Sequence, residues 1–412
     1  MLAVLAVGGC SAREILEASR EKGTAVEPAL ILQTALPRQP IKLRILVGGD
    51  LMPHRPRLLA PESISTALAP LSELLRAADA SVANYETATG DPRIFGEKAI
   101  SLAASPAWMG EVRRAGWNAL AVANNHACDL GKAGLERTIA ATSDLGVVAL
   151  GADSSDPWKA KVLVEKSGHR VCAVAWTTFV NAEGRACKGS GELAIAAFDR
   201  RGTDRIERAI QRARAGGCDA VVAILHGGRE YAPQIWGPRL QARRAAEAGA
   251  DAVVIHHPHV ASPVDMVSTR DGRRVPVFAS VGNLVSNQGE SWRLPMRPES
   301  RENLISLNAW TRLGVLADLE WTWPSETADA RPTLTWGFHL LWTENDHAYH
   351  RDDPLPRIVV RPVDPTNDRA LLDRLETDDR GPKSLLVDSC WIEASEKRCD
   401  AVPAGRRQEP MF

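Results

Sequence analysis

The sequence predicts an α/β fold on parallel or mixed sheets, continued by antiparallel strands toward the C-terminus. Three observations carry this. Apolar runs of strand length alternate with helix-spaced stretches from about residue 43 to 288. Each predicted core strand ends in polar residues, where open α/β sheets place their sites. From about residue 304 the texture changes to tryptophan-bearing alternation flanking a turn, the pattern of antiparallel strands that cover a sheet edge or sandwich face.

The elements follow in order. LRILVGGD (43–50) reads as a buried strand running into a glycine turn and Asp50. A second strand spans 79–86 and ends in Glu86, and WNALAVANNH (117–126) is a third that ends in Asn125 and His126. KAGLERTIAATSDLG (132–146) has helical spacing and leads into VVALGAD (147–153). VCAVAW (171–176) is another strand. The amphipathic RIERAIQRARAGGCD (205–219) precedes the strand AVVAILHGGREY (220–231), which carries His226 and Glu230. LQARRAAEAGADAVVIHHPH (240–259) repeats helix, turn, strand and polar tip, and VPVFASVGNLVSN (275–287) adds a last strand and loop with Asn283. The stretches 304–323 and 333–342 form the antiparallel extension. Residues 351–412 read as a small appendage.

Upstream, MLAVLAVGGC is an apolar run closing on small residues and Cys10. Residues 1–12 therefore read as a lipoprotein signal with Cys10 as the lipidation site, and 13–40 as a tether that Pro37 and Pro40 keep from continuing as helix. This places the protein in the cell envelope, lipid-anchored or exported. If the run is instead a buried first strand, the protein is cytoplasmic. No later stretch reaches the roughly 18 apolar residues that span a bilayer.

The chain has 412 residues, 50 basic and 51 acidic, for a formal net charge of -1. That near balance, without a basic aromatic-rich stripe, argues against nucleic acid as a partner. The apolar fraction of 44% excludes global disorder. Seven cysteines form no C-x-x-C pair; Cys390 and Cys399 are either a disulfide or two free thiols, and Cys10 stands apart.

The strand ends gather Asp50, Glu86, Asn125, His126, His226, Glu230, His257, His259 and Asn283, a set of oxygen and imidazole donors without thiolates. It suits one or two divalent ions such as Mn, Fe, Zn or Mg. A carboxylate shared between two ions about 3.5–4 Å apart can hold a water as nucleophile. Each residue also has a plainer reading. Asp50 and Asp129 are placed to cap helices, Asn125-His126 to close a turn, and His226 to sit in the core on backbone partners. Glu230 is placed to orient an imidazole. His257 and His259 reach one pocket only if the backbone turns between them, which would send His256 elsewhere. No phosphate-binding P-loop, nucleophile elbow or dinucleotide fingerprint is present.

VGGDLM (47–52), ADASVANYE (78–86), ANNHACDLGKAGLERT (123–138), ILHGGREY (224–231), GADAVVIHHPHV (249–260) and SVGNLVSNQ (280–288) occur in one order. In that order they resemble the CapA (PgsA) family of poly-γ-glutamate and capsule biosynthesis proteins, within the calcineurin-like metallophosphoesterase superfamily. The resemblance implies a layered α/β sandwich over 41–350. It places Asp50 on one ion with His259, Glu86 between two ions, and Asn125, His226 and His257 on the second. His126 would act on the leaving group or orient phosphate, with Glu230, Asn283 and Asp129 as supporting or substrate residues. Met52 stands where the superfamily has a histidine, and Glu86 where it has an aspartate; both are usual in CapA-like proteins. Leu284 replaces an aromatic residue of the family's glycine-asparagine segment, and His256 stands where glycine is more usual.

The implied function is capsule or poly-γ-glutamate biosynthesis or processing by metal-dependent hydrolysis with an activated water. The partners would be an anionic polymer or phosphoester substrate, membrane-bound synthase components, and the membrane itself through the lipid anchor. The alternatives are a non-catalytic polymer-binding or assembly component and a small-molecule phosphoesterase.

Overall fold

A computed structural model describes residues 39–54, 58–91, 102–181, 187, 190–232, 236–300, 304–324, 331–345, 347–349, 358–392 and 399–400. All of the architecture below belongs to the compact unit Pro40–Phe412. The readings placed on Cys10 and on most of the 13–40 tether lie outside the described residues.

Two sheets dominate. The first contains β1 (Ile41–Leu51), β2 (Ala80–Tyr85), β3 (Ala119–Ala121) and β4 (Val148–Leu150), all parallel. The second contains β5 (Lys161–Lys166), β6 (His169–Thr177), β7 (Ala220–His226), β8 (Ala252–His256), β9 (Ser262–Ser268) and β10 (Arg274–Ser280), in the order β9-β10-β8-β7-β6-β5. Its four central strands are parallel, and β5 and β9 pair antiparallel at its edges. The short β11 (Asn283–Val285) returns to the first sheet and pairs with β1 at Asp50↔Asn283.

The chain then adds β12 (Leu313–Trp323), β13 (Thr333–Asn345), β14 (Ile358–Pro362) and the two-residue β15 (Cys399–Asp400). β12 runs antiparallel along β1 from Ile41↔Trp323 to Val47↔Ala317, so this extension continues the first sheet directly. Trp321, Trp323, Trp336 and Trp342 pack into the core between the sheets, and β14 adds to the same sheet along β13.

Strict alternation builds the layers. On β1, Ile45 and Val47 face the second sheet, where they join Val222, Ile224 and Val254 in one core. Leu46 points the other way with Ala83 and Leu120, beneath α1 (Pro61–Leu68) and α2 (Pro106–Arg114). The next helix in the chain is α3 (Gly131–Asp144). On β7, Val221, Ala223 and Leu225 face α4 (Arg200–Ala215) and α5 (Trp236–Ala248). Every residue of β7 and β8 is buried, which is why these strands read as unbroken apolar runs. Each fully buried Val, Leu or Ile contributes about 1.5–3 kcal/mol, so neither strand can slip register cheaply. The result is the expected layered α/β sandwich with helices outside both sheets.

Six of the seven cysteines form disulfides: Cys128–Cys187, Cys172–Cys218 and Cys390–Cys399. The last resolves the alternative left open in the sequence. The first ties the turn after His126 to a segment distant in the chain, and the second joins β6 to the residues leading into β7.

Candidate metal centre

The parallel strands of both sheets point their C-terminal ends toward one edge of the sandwich, and the predicted donors meet there. Asp50 ends β1, and Glu86 directly follows β2. Asn125 and His126 follow β3, His226 ends β7, and His257 and His259 follow β8. All seven are at least nine-tenths buried.

Backbone geometry brings the last two in. His257 and His259 both adopt positive φ, 100° and 58°, a conformation that costs roughly 1–3 kcal/mol for a non-glycine residue and clusters at functional sites. The turn they make swings both rings inward, with centroids 5.8 Å apart, and leaves His256 behind on the strand. His256 Nε2 lies 2.9 Å from the Gly48 carbonyl, a structural contact. Gly49 is required at the end of β1, because a Cβ there would lie 2.1 Å from the Gly282 carbonyl oxygen. That close approach lets Asp50 N donate to Gly282 O at 3.1 Å and fixes the aspartate.

Asp50 Oδ1 accepts from Asn84 Nδ2 at 2.7 Å, and its Oδ2 accepts from His259 Nδ1 at 3.1 Å. Burial works to raise this carboxyl's pKa, but the His259 hydrogen bond and the nearby imidazoles prevail and hold it below the usual value. His259 Nδ1 also donates to Asn283 Oδ1 at 3.0 Å, so its Nε2 faces Glu86, 3.9 Å from Oε1. Asn283 is itself anchored by Nδ2 on Gln288 Oε1 and the Thr311 carbonyl, both at 2.8 Å. His226 lies between two amides: Asn84 Nδ2 at 3.2 Å from Nδ1, and Asn125 Oδ1 at 2.9 Å from Nε2. One tautomer, with the proton on Nε2, satisfies both. That Nε2 is 3.6 Å from Glu86 Oε1.

Glu86 is the focus. It is fully buried, and neither carboxyl oxygen has a hydrogen-bond partner; His257 Nδ1 is likewise buried and unpartnered. Burial first, then the neighbouring Asp50 and Glu230, push the Glu86 carboxyl well above the ordinary range. Burial and the surrounding imidazoles push His226 well below 6.5, and burial with His259 takes His257 to about 3. Without a hydrogen-bond donor, a buried carboxyl is costly unless it stays protonated or meets a cation. Two donor groups close around it, Glu86 with His257 and His259, and Asp50 with Glu86 and His226, each with ligand atoms within 4.8 Å of one another. Glu86 belongs to both, so these residues fit one or two divalent ions. The resemblance grouped His226 with His257 and Asp50 with His259 instead.

Beside this cluster, His126 Nδ1 contacts Asp129 Oδ2 at 2.6 Å, and that oxygen also accepts from Leu102 N at 2.6 Å. Asp129 therefore holds an imidazole. Glu230 does not: it is exposed, and among the described residues no imidazole lies within its hydrogen-bonding reach. Its neighbour Tyr231 turns inward instead, its ring 5.8 Å from that of His259 and its hydroxyl accepting from Gln288 Nε2 at 2.9 Å.

Sequence reasoning missed three contributors. Asn84 bridges Asp50 and His226 from inside β2, and Asn124 Nδ2 donates to the Tyr85 carbonyl at 2.7 Å. His54, two residues beyond Met52, accepts from Asn287 N at Nδ1 (3.0 Å). Burial, then His259 and His126, bring its pKa to about 3, so a titratable imidazole follows the methionine at 52 closely in the chain. The missed signal was the histidine four residues after Asp50 rather than two.

Residues 44–288, which hold every candidate donor, match the family described as bacterial capsule synthesis protein PGA_cap. The chain belongs to this family. It is similar to the capsule biosynthesis protein CapA of Bacillus anthracis, 33% identical over 201 residues that cover 47% of this chain and 46% of that protein. It is also similar to the PGA biosynthesis protein CapA of Bacillus subtilis (strain 168), 29% identical over 221 residues, 52% of this chain and 55% of that protein. The chain spans about half the length of the curated relatives it matches.

Proposed function

We propose that this protein serves capsule or poly-γ-glutamate biosynthesis or processing as a metal-dependent hydrolase acting on an anionic polymer or phosphoester. The observation that carries the reading is Glu86, shared by both donor groups with its two oxygens free of hydrogen bonds. Asp50, Glu86, His226, His257 and His259 would hold the ion or ions, with Asn125 as a further donor through Oδ1. A divalent ion there supplies Lewis-acid polarisation of the scissile group and activation of water. Asn283 orients the His259 imidazole through Nδ1; for His226 to ligate through Nε2, its proton would move to Nδ1, the nitrogen that faces Asn84. Asp129 fixes His126 through Nδ1, leaving Nε2 to deliver a proton to the leaving group. The imidazole-rich set favours Mn, Fe or Zn over Mg.

The proposed setting is the cell envelope, with the protein exported and anchored through Cys10 near membrane-bound synthase components. Three disulfides among the described residues support an oxidising compartment, and none of them uses Cys10. Among the described residues no helix is long and apolar enough to cross a membrane. In this reading 1–12 is the signal, 13–40 the tether, 41–350 the catalytic domain and 351–412 its C-terminal appendage.

The test is turnover of aryl phosphoesters and of γ-linked polyglutamate by the protein reconstituted with Mn, Fe or Zn. Activity that chelation abolishes, and that Asp50→Ala and His257→Ala lose together with the metal, is the expected result. Bound metal with no turnover of either substrate class overturns the hydrolase and favours a polymer-binding or assembly role.

A further inference from the structure

A cavity of about 760 Å³ lies between α4 and the segments 155–158 and 191–199. Arg201, Arg205, Arg208 and Arg212 all line it. Their spacing places them on one stripe of α4, about 16 Å long at 1.5 Å per residue. An arginine-bearing helix face is ordinarily just solvated surface. This one forms a cavity wall, and its nearby acids are already committed. Asp199 caps α4 by accepting from Gly202 N at 2.7 Å, Asp156 pairs with Arg212 at 3.1 Å, and Glu207 turns away to Arg244 at 3.6 Å. Arg205 spends one donor on the Ile195 carbonyl. Among the described residues no carboxylate pairs with Arg201 or Arg208. Gly202 lets the helix sit close, since a Cβ there would lie 2.2 Å from the Ala197 carbonyl oxygen.

A second observation is independent of the arginines. Thr178 lines the same cavity, is more than nine-tenths buried, and its hydroxyl has no hydrogen-bond partner. Its backbone N–H donates to the His226 carbonyl at 3.0 Å, and the adjacent Phe179 ring meets His257 edge-on at 5.1 Å. The segment carrying Thr178 and Phe179 thus forms a wall common to the arginine cavity and the candidate metal centre.

We infer that this cavity binds successive carboxylates of a polyglutamate chain, with the arginine stripe along the chain and Thr178 at the end nearest the metal centre. The inference rests on the proposed role in polymer synthesis or processing, because the regular cation spacing matches a ligand that repeats one carboxylate per monomer. Guanidinium forks suit carboxylates through paired hydrogen bonds.

The experiment measures binding of fluorescently labelled poly-γ-glutamate to the full chain stripped of metal, so the result does not depend on hydrolysis. Wild type is compared with Arg201→Glu/Arg208→Glu and with a control of equal charge change on another face, Arg76→Glu/Arg113→Glu. The expected result is binding that weakens with salt and falls by roughly tenfold or more in the cavity variant, against less than about threefold in the control. Equal losses in both charge variants, no binding by wild type, or preference for polyphosphate over polyglutamate would overturn the inference. The hydrolase reading, judged on the metal-loaded protein, would stand or fall separately.

Discussion

Glu86→Gln separates a metal-holding carboxylate from a structural one, because the two roles predict opposite changes. Glu86 is fully buried, its Oε1 is 3.6 Å from His226 Nε2 and 3.9 Å from His259 Nε2, and neither oxygen is hydrogen-bonded. In the metal-free protein its raised pKa favours the neutral acid. A neutral amide of the same shape should then change stability by less than about 1 kcal/mol, a shift of at most a few degrees in Tm for a domain of this size. With a divalent ion bound, the substitution removes a full negative charge. At about 4 Å and an effective dielectric of 20, one charge against a dication is worth on the order of 8 kcal/mol before desolvation is subtracted. A remainder of a third of that still weakens binding by about a hundredfold. The assay is thermal unfolding with and without metal, together with chelator competition for the ion. A variant that keeps wild-type metal affinity would refute the reasoning. So would a metal-free variant destabilised by several kcal/mol, which would make Glu86 a structural group.

Further outcomes follow from the same geometry. For the metal-free protein, the lowered pKa values of His54, His226 and His257 mean that the unfolded chain takes up protons below about 6.5, while the folded one refuses them until about 3 for His54 and His257. Glu86 acts with the opposite sign, contributing stability below its ordinary pKa and losing it as pH rises, but three imidazoles outnumber it. Tm should therefore fall as pH drops from 6.5 toward 3, and a flat profile would contradict the burial of these rings. Cys128→Ser/Cys187→Ser opens a loop with a sequence separation of 59. By loop entropy this costs about 4 kcal/mol, read as a lowered urea midpoint with a larger m as the unfolded chain expands, and a loss under about 1 kcal/mol would speak against the disulfide. Asp129→Asn should leave metal content intact while cutting turnover by roughly a hundredfold or more, and an unchanged rate would remove His126 from the chemistry.

Much of this was legible because each core strand pairs an unbroken apolar run with an abrupt polar end. AVVAILH and AVVIH announce both their burial and the histidines at their tips. The edge strands β5 and β9 escaped notice because KVLVEK and SPVDMVS are half exposed and mix charge or hydroxyls into the run. α2 left a readable trace that went unused: Ser105 caps it and Pro106 opens it. Asn84 was hidden by its position inside a strand, where a polar residue carries no periodic signal, although it joins Asp50 to His226. The disulfides Cys128–Cys187 and Cys172–Cys218 close over 59 and 46 residues, separations at which sequence offers no geometry. The arrangement of ligands also depends on the positive φ of His257 and His259, which HHPH suggests only as a turn.

The central claim is that Glu86 and the surrounding imidazoles hold a divalent ion. Anomalous scattering from Mn-soaked crystals of the protein tests it most directly. The account predicts one or two peaks within bonding distance of a Glu86 carboxyl oxygen and of nitrogens from His226, His257 or His259. Saturating Mn that gives no peak there, or a peak with Glu86 out of reach, would contradict it.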